Sequence, residues 1–144
     1  MLFRSGVFRL YNRAVPEVVR RARGVIFSEW REAQETSPGR CQELVAVHDG
    51  RVQAWLALSQ TSNAGMFDLM VDPEAAGATE ALVRHALHRL GSRVPVVCLV
   101  PEFQGTLQRV VEEDLEARPV AEFTTLVKYL TVRVPARGLV PAHA

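Results

Sequence analysis

Each thing this sequence is short of removes a class of function. It has two cysteines, Cys41 and Cys98, in 144 residues. Two cysteines build no disulfide framework and supply no metal-ligand spacing. Cys98 lies inside an apolar run and reads as a small buried hydrophobe. Both thiols fit a reducing compartment, so a cytoplasmic location is expected. No apolar stretch in the chain approaches the roughly 20 residues of a membrane helix, and no signal peptide is visible. Neither sign of charge dominates: 17 Lys and Arg stand against 16 Asp and Glu, for a net charge of +1. Nucleic-acid binding leaves a clustered basic footprint. The nearest approach, Arg20-Arg21-Ala22-Arg23, reads as a solvated helix face. Neither a nucleic acid nor a membrane is an expected partner. A Ser-His-Asp order and a Gly-x-Ser-x-Gly elbow are missing, as are a Walker loop and a dinucleotide fingerprint. His85 and His88 stand at i, i+3 on a polar helix face without a third ligand, so they read as solvated and no metal is expected.

What is present is an ordinary globular composition, 48% hydrophobic and 23% charged, long enough for one domain with a core. Val7-Phe8-Arg9-Leu10-Tyr11 alternates as a strand does. Pro16 then opens a helix that Gly24 ends, and Val25 to Ala33 reads as a second helical piece. Glu35 to Arg40 is a loop. Two apolar strands, Leu44–Val47 and Val52–Leu58, flank Asp49-Gly50, the strongest local signal in the chain. That pair predicts a type I′ hairpin. Ser59 to Gly65 turns into the strand Met66–Val71. A helix crosses over to Val94–Val100, a continuously apolar run of the kind buried on both faces of a parallel sheet. Pro101 ends it. Phe103 to Leu115 reads as a helix with Phe103, Leu107, Val110, Val111 and Leu115 inward, and Ala121 to Val134 reads as strand. The order is β-α-α-β-β-β-α-β-α-β, an α+β fold on one mixed sheet. Leu69, Leu82, Leu87, Val97, Leu99 and Leu107 are the expected core.

The stretch from Met66 to Gly91 organises the rest. Its strand meets Asp72-Pro73, then a small-residue loop, Glu74-Ala75-Ala76-Gly77-Ala78-Thr79, then a helix in which Ala81, Leu82, Ala86, Leu87 and Leu90 recur at helical spacing. Such a junction offers backbone N–H groups and a positive helix end to an anion. The plainer alternative is an ordinary loop with Thr79 as N-cap.

In order and content this unit resembles the acyl-CoA-binding core of the GCN5-related N-acetyltransferases, and the resemblance spans about residues 6–134. Val71-Asp72-Pro73-Glu74 stands where that family has an apolar residue, a polar residue, Pro and an acid. The family's loop then reads Arg/Gln-x-x-Gly-x-Gly/Ala, whereas this chain keeps Gly77 alone. The resemblance implies acetyl-CoA as the acyl donor and an amine as acceptor, with a homodimer an open expectation. It implies a pantetheine slot lined by Leu69, Met70 and Val71. Gly77, Ala78 and Thr79 would face the pyrophosphate, and Gln104, with Gly105 beside it, falls near a family Asn. Glu112 falls where the family has a tyrosine acid, and Glu116-Ala117 replaces Gly-Phe. Tyr129 is the tyrosine left to protonate a thiolate, and its plainer alternative is a half-buried strand aromatic. Asp68, Glu102 and Glu122 are the candidate bases, each with a surface carboxylate as alternative.

The loop's missing glycines and the displaced tyrosine favour a second class of function, a catalytically silent scaffold of the same fold that binds a ligand or regulates. Met1 to Ser5 carries no pattern, and Leu-Phe-Arg-Ser is also what a common sequencing-adapter end encodes in one frame. The start is therefore expected not to be native. Residues 135–144, rich in Pro, Gly and Ala, are expected to form a loose tail.

Overall fold

The structure, a computed structural model, describes residues 2–23, 40–124 and 126. Two helices come first, α1 (Leu2–Ala14) and α2 (Glu17–Arg23). α1 falls where alternation predicts a strand over Val7–Tyr11. The helix prevails because Val7, Leu10, Tyr11 and Val15 are buried together. Their spacing of i, i+3, i+4 and i+8 is a helical stripe, and five residues are too few to separate it from period 2. The helix stops before Pro16, whose ring disfavours the α conformation in the residue ahead of it. The predicted helical piece at Val25–Ala33 lies outside the described residues.

Among the described residues, four strands make one sheet in the order β1 (Arg40–His48), β2 (Arg51–Gln60), β3 (Gly65–Val71) and β4 (Val96–Cys98). The first three form an antiparallel meander, and β3 pairs with β4 in parallel. The β1–β2 turn places Asp49 at φ 49° and Gly50 at φ 71°, both left-handed, as a type I′ turn requires. A Cβ at Gly50 would meet nothing within 4 Å. Gly50→Val should therefore act through backbone strain alone and lower stability by roughly 1–3 kcal/mol. An unchanged melting temperature would count against that account.

Each face of the sheet has its own core. On the first, Leu56, Leu58, Phe67 and Leu69 pack under α3 (Thr79–Leu90) and the helix α4 (Gly105–Arg109) with its π-helical continuation Val110–Asp114. On the second, α1 lies over Val52, Trp55 and Met70. The expected core is right at Leu69 and Leu107, 1% and 2% exposed. It is wrong at Val97 and Leu99, which are 37% and 61% exposed. The reason is coverage: Val96, Cys98 and Val100 face the α3 side and pack there, while the α1 cluster on the other side does not include β4 residues. In α3 the innermost positions are Val83 and Ala86, with Leu82 and Leu87 only half-buried and Ala81 exposed.

The predicted loop after β3 is a 3-10 helix, Pro73–Ala78, that runs into α3. Ala78, not Thr79, occupies the α3 N-cap, and Thr79 is buried. The π-helical continuation of α4 ends at Asp114, and Glu116 just beyond it is left-handed at φ 54°. Of the strand predicted over Ala121–Val134, residues 121–124 and 126 are described. They belong to no helix or strand, and Phe123 and Leu126 are 78% and 90% exposed. The rest of that prediction lies outside the described residues.

Candidate functional site

The seam between β3 and β4 is built by a proline. Gly65 donates its N–H to the Pro95 carbonyl at 2.9 Å, and the parallel register runs Gly65 opposite Val96 and Phe67 opposite Cys98. In a parallel ladder alternate residues bond the same neighbour, so 65, 67 and 69 aim their backbone groups at β4. One step further, the donor for the Leu69 carbonyl would be the N–H of residue 101. That residue is Pro101 and has none. The ladder ends at Phe67, and the strands part. The side-chain amide of Gln104 fills the position instead, donating through Nε2 to the Leu69 oxygen at 3.0 Å. The structure thus brings together Leu69 and Gln104, two of the sequence-predicted site residues.

Asp68 is the neighbour of this seam on the sheet's second face, on the same side as Met66, Val97 and Leu99; the residue as a whole is open to solvent while its carboxyl is partly shielded. Desolvation raises its carboxyl above the usual carboxylate value, while the backbone N–H of Leu69 and the Arg23 guanidinium pull the other way. Burial, and then the charge of Asp68, push up the thiol of Cys98 across the seam. A carboxylate shifted upward is better matched to proton transfer near neutrality. Glu102 is an exposed carboxylate beyond Pro101, and Glu122 is exposed in the stretch without regular structure. The structure does not bring either to Asp68 through any hydrogen bond or ion pair among the described residues. Tyr129 lies outside them.

Beyond β3 the chain turns on Asp72, a residue sequence reasoning passed over as a site member. It is 2% exposed. Its Oδ1 accepts from the Glu74 N–H at 3.1 Å, capping the 3-10 helix, and Pro73 follows it in the first turn. Its Oδ2 accepts from Arg13 Nε at 2.7 Å and Arg51 Nη2 at 2.9 Å. Arg13 also donates to the Val52 carbonyl at 2.8 Å, and Arg51 reaches Glu74. Burial by itself would raise the Asp72 carboxyl. The Arg13, Glu74 and Arg51 hydrogen bonds together outweigh it and hold the group below its usual value. The signal available in sequence was Asp-Pro directly after a strand, a helix-start pattern. Past this cluster, Gly77 and Ala78 are exposed, with open space where a Gly77 Cβ would sit and no side chain capping α3. The Thr79 N–H is committed to the Ala76 carbonyl, so Thr79 offers no free backbone donor.

Two clefts open elsewhere, on the α3 side of β1 and β2. The larger, about 570 Å³, has Gln42, Gln60, His88 and Arg89 in its wall. Three of its polar side chains are already engaged: Arg89 donates to Gln42 and Gln60 to the Leu90 carbonyl. The smaller, about 230 Å³, is apolar apart from His85. Among the described residues no group of His, Cys, Asp and Glu could hold a metal ion, and no helix is long and apolar enough to cross a membrane.

No protein-family profile matches the chain, and no curated protein sequence matches it. Among solved structures it is similar to an acetyltransferase of Trypanosoma brucei, 20% identical with a TM-score of 0.48, over 71% of this chain and 80% of that one. It is also similar to an aminoglycoside acetyltransferase from an uncultured soil metagenomic sample, solved in complex with sisomicin. That chain is 16% identical with a TM-score of 0.38, over 92% of this chain and 84% of its own.

Proposed function

We propose that this chain binds acetyl-CoA along the β3–β4 seam and transfers the acetyl group to an amine of a small molecule or protein. The observation that carries the reading is the parting of two parallel strands at Leu69, where β3 turns its backbone groups toward a neighbour that supplies no backbone partner. An extended amide chain can pair there as an added strand does, and the pantetheine arm of an acyl-CoA is such a chain. Leu69, Met70 and Val71 would line that arm. Gly77 and Ala78 would meet the pyrophosphate at the uncapped start of α3.

When bound, acetyl-CoA supplies an activated acyl group. The chain's own part is positioning and proton handling. Asp68, with its raised carboxyl, takes the proton that the attacking amine gives up, directly or through a water. Glu102 is the reserve base. Tyr129 is the proposed donor to the departing thiolate.

One observation favours a silent scaffold instead. Asp72 already occupies the first donor of the turn, and Glu74, 77% exposed in its side chain, adds a second negative charge there. The Glu74 N–H is therefore taken, and Arg13 and Arg51 are committed to these two carboxylates rather than open to a pyrophosphate. Thermal melting decides between the readings. Ligand at about one hundred times its dissociation constant adds roughly 2.7 kcal/mol, about 5–10 °C for a domain of this size. Gly77→Glu should abolish that shift. If wild type does not shift in millimolar acetyl-CoA or CoA, the enzyme reading falls. Binding without acetylation of any amine in a broad panel leaves the silent scaffold.

A further inference from the structure

We infer that Gln104 is a displaceable latch: its carboxamide holds the Leu69 carbonyl that an incoming amide chain has to take, so the seam opens only when Gln104 swings out. The inference rests on the seam being the acyl-CoA site.

Two features support it. First, the bond has the chemistry of the proposed ligand. A carboxamide N–H donating to a strand carbonyl at 3.0 Å is what an amide of an extended arm would do at the same place. Second, the side chain is held at the seam by its own backbone. The Gln104 N–H donates to the Pro101 carbonyl at 2.9 Å, its carbonyl accepts from Gln108, and the neighbouring Phe103 packs with the α1-side cluster. The residue that removes the ladder donor, Pro101, therefore also anchors the turn that supplies the substitute.

A half-buried hydrogen bond of this kind is worth a modest net amount, and breaking it at the moment of binding weakens affinity by about twofold to tenfold. Removing it should therefore tighten binding. Titration of wild type, Gln104→Ala and Gln104→Glu with pantetheine and with CoA tests this. Pantetheine is uncharged, so the glutamate variant keeps the size of the side chain and loses the donor without a ligand-charge penalty. The expected result is a dissociation constant about twofold to tenfold lower for pantetheine in both variants, and for CoA in Gln104→Ala. In parallel, the wild-type Gln104 side-chain NH₂ signals, identified by their loss in Gln104→Glu, should move to free-amide positions as ligand saturates. Equal or weaker binding in both variants, with wild type binding normally, overturns the latch and leaves the acyl-CoA reading intact. No binding by any of the three proteins overturns both. Binding by the variants alone supports the latch most directly.

Discussion

Leu56→Ala is expected to destabilise the protein by roughly 3–5 kcal/mol. Leu56 lies in β2, flanked by Leu44 of β1 and Leu69 of β3 in the sheet register, and is 1% exposed. Its side chain belongs to the cluster that holds Val83, Ala86, Leu107 and Val110 under two helices. Truncation there loses the transfer free energy of three carbons and leaves a cavity between layers that cannot close, since the backbone ladder on both sides fixes the strand. Leu82→Ala is the control. Leu82 packs against the same cluster but is only half-buried, so the site relaxes into solvent and the loss should be about 1–2 kcal/mol. Urea denaturation of the two variants checks the contrast. Equal losses would mean that the first-face core does not centre on β2 and β3.

That contrast also marks how far residue patterns reach. Hydrophobic spacing in α3 singles out Leu82 and Leu87 because leucines stand out, whereas the buried stripe runs through Val83, Ala86 and Leu90. The smaller residues are innermost since α3 sits close on the sheet. The hairpin was fully legible because Asp49-Gly50 forces a turn by local backbone chemistry alone. The strand predicted at Val7 was not, because helix and strand differ there only in what covers them. Val97 and Leu99 fail for the same reason: a run of apolar residues states that burial is available, and only the tertiary arrangement of α1 decides that this part of the second face stays open.

The candidate site divides along a similar line. Leu69 and Gln104 follow from the family resemblance and Asp68 from being a carboxylate within an apolar strand, whereas Pro101 carries its consequence, a missing donor, in its own covalent structure. Their mutual arrangement depends on the β3–β4 register, which the sequence does not print. Arg13 and Arg51 could not be named at all. They reach Asp72 across 59 and 21 residues, and nothing local distinguishes Arg13 from Arg4 and Arg9 on α1 or ties Arg51 on β2 to the end of β3.

Asp72→Ala should cost about 2–3 kcal/mol at neutral pH, and most of that cost should vanish in acid. The carboxylate is almost wholly buried, while the Arg13 and Arg51 side chains keep 29% and 45% exposure. Breaking a fully buried pair costs more, about 3–5 kcal/mol; here the two guanidiniums retain water, which lowers the figure. The variant also loses the cap on the Glu74 N–H, worth about 1 kcal/mol. Asp72→Asn keeps a side-chain oxygen for that cap and loses the charge, so it should cost less than alanine. The pH dependence follows from the direction of the shift. The folded state holds the Asp72 carboxyl below its usual value of 3.8. The unfolded chain therefore binds a proton first as pH falls. The stabilisation is fully present above the unfolded value, declines from about pH 4 downward, and is gone once pH passes below the folded value. Denaturant titrations of wild type, Asp72→Ala and Asp72→Asn at neutral pH and near pH 2.5 should show the wild-type and asparagine curves converging in acid. Alanine should stay slightly lower, by the share of the cap that a protonated carboxyl still provides. A gap between wild type and asparagine that is unchanged by pH would mean that Arg13 and Arg51 do not act on Asp72 as charges, and that α1 is held to the end of β3 by packing alone.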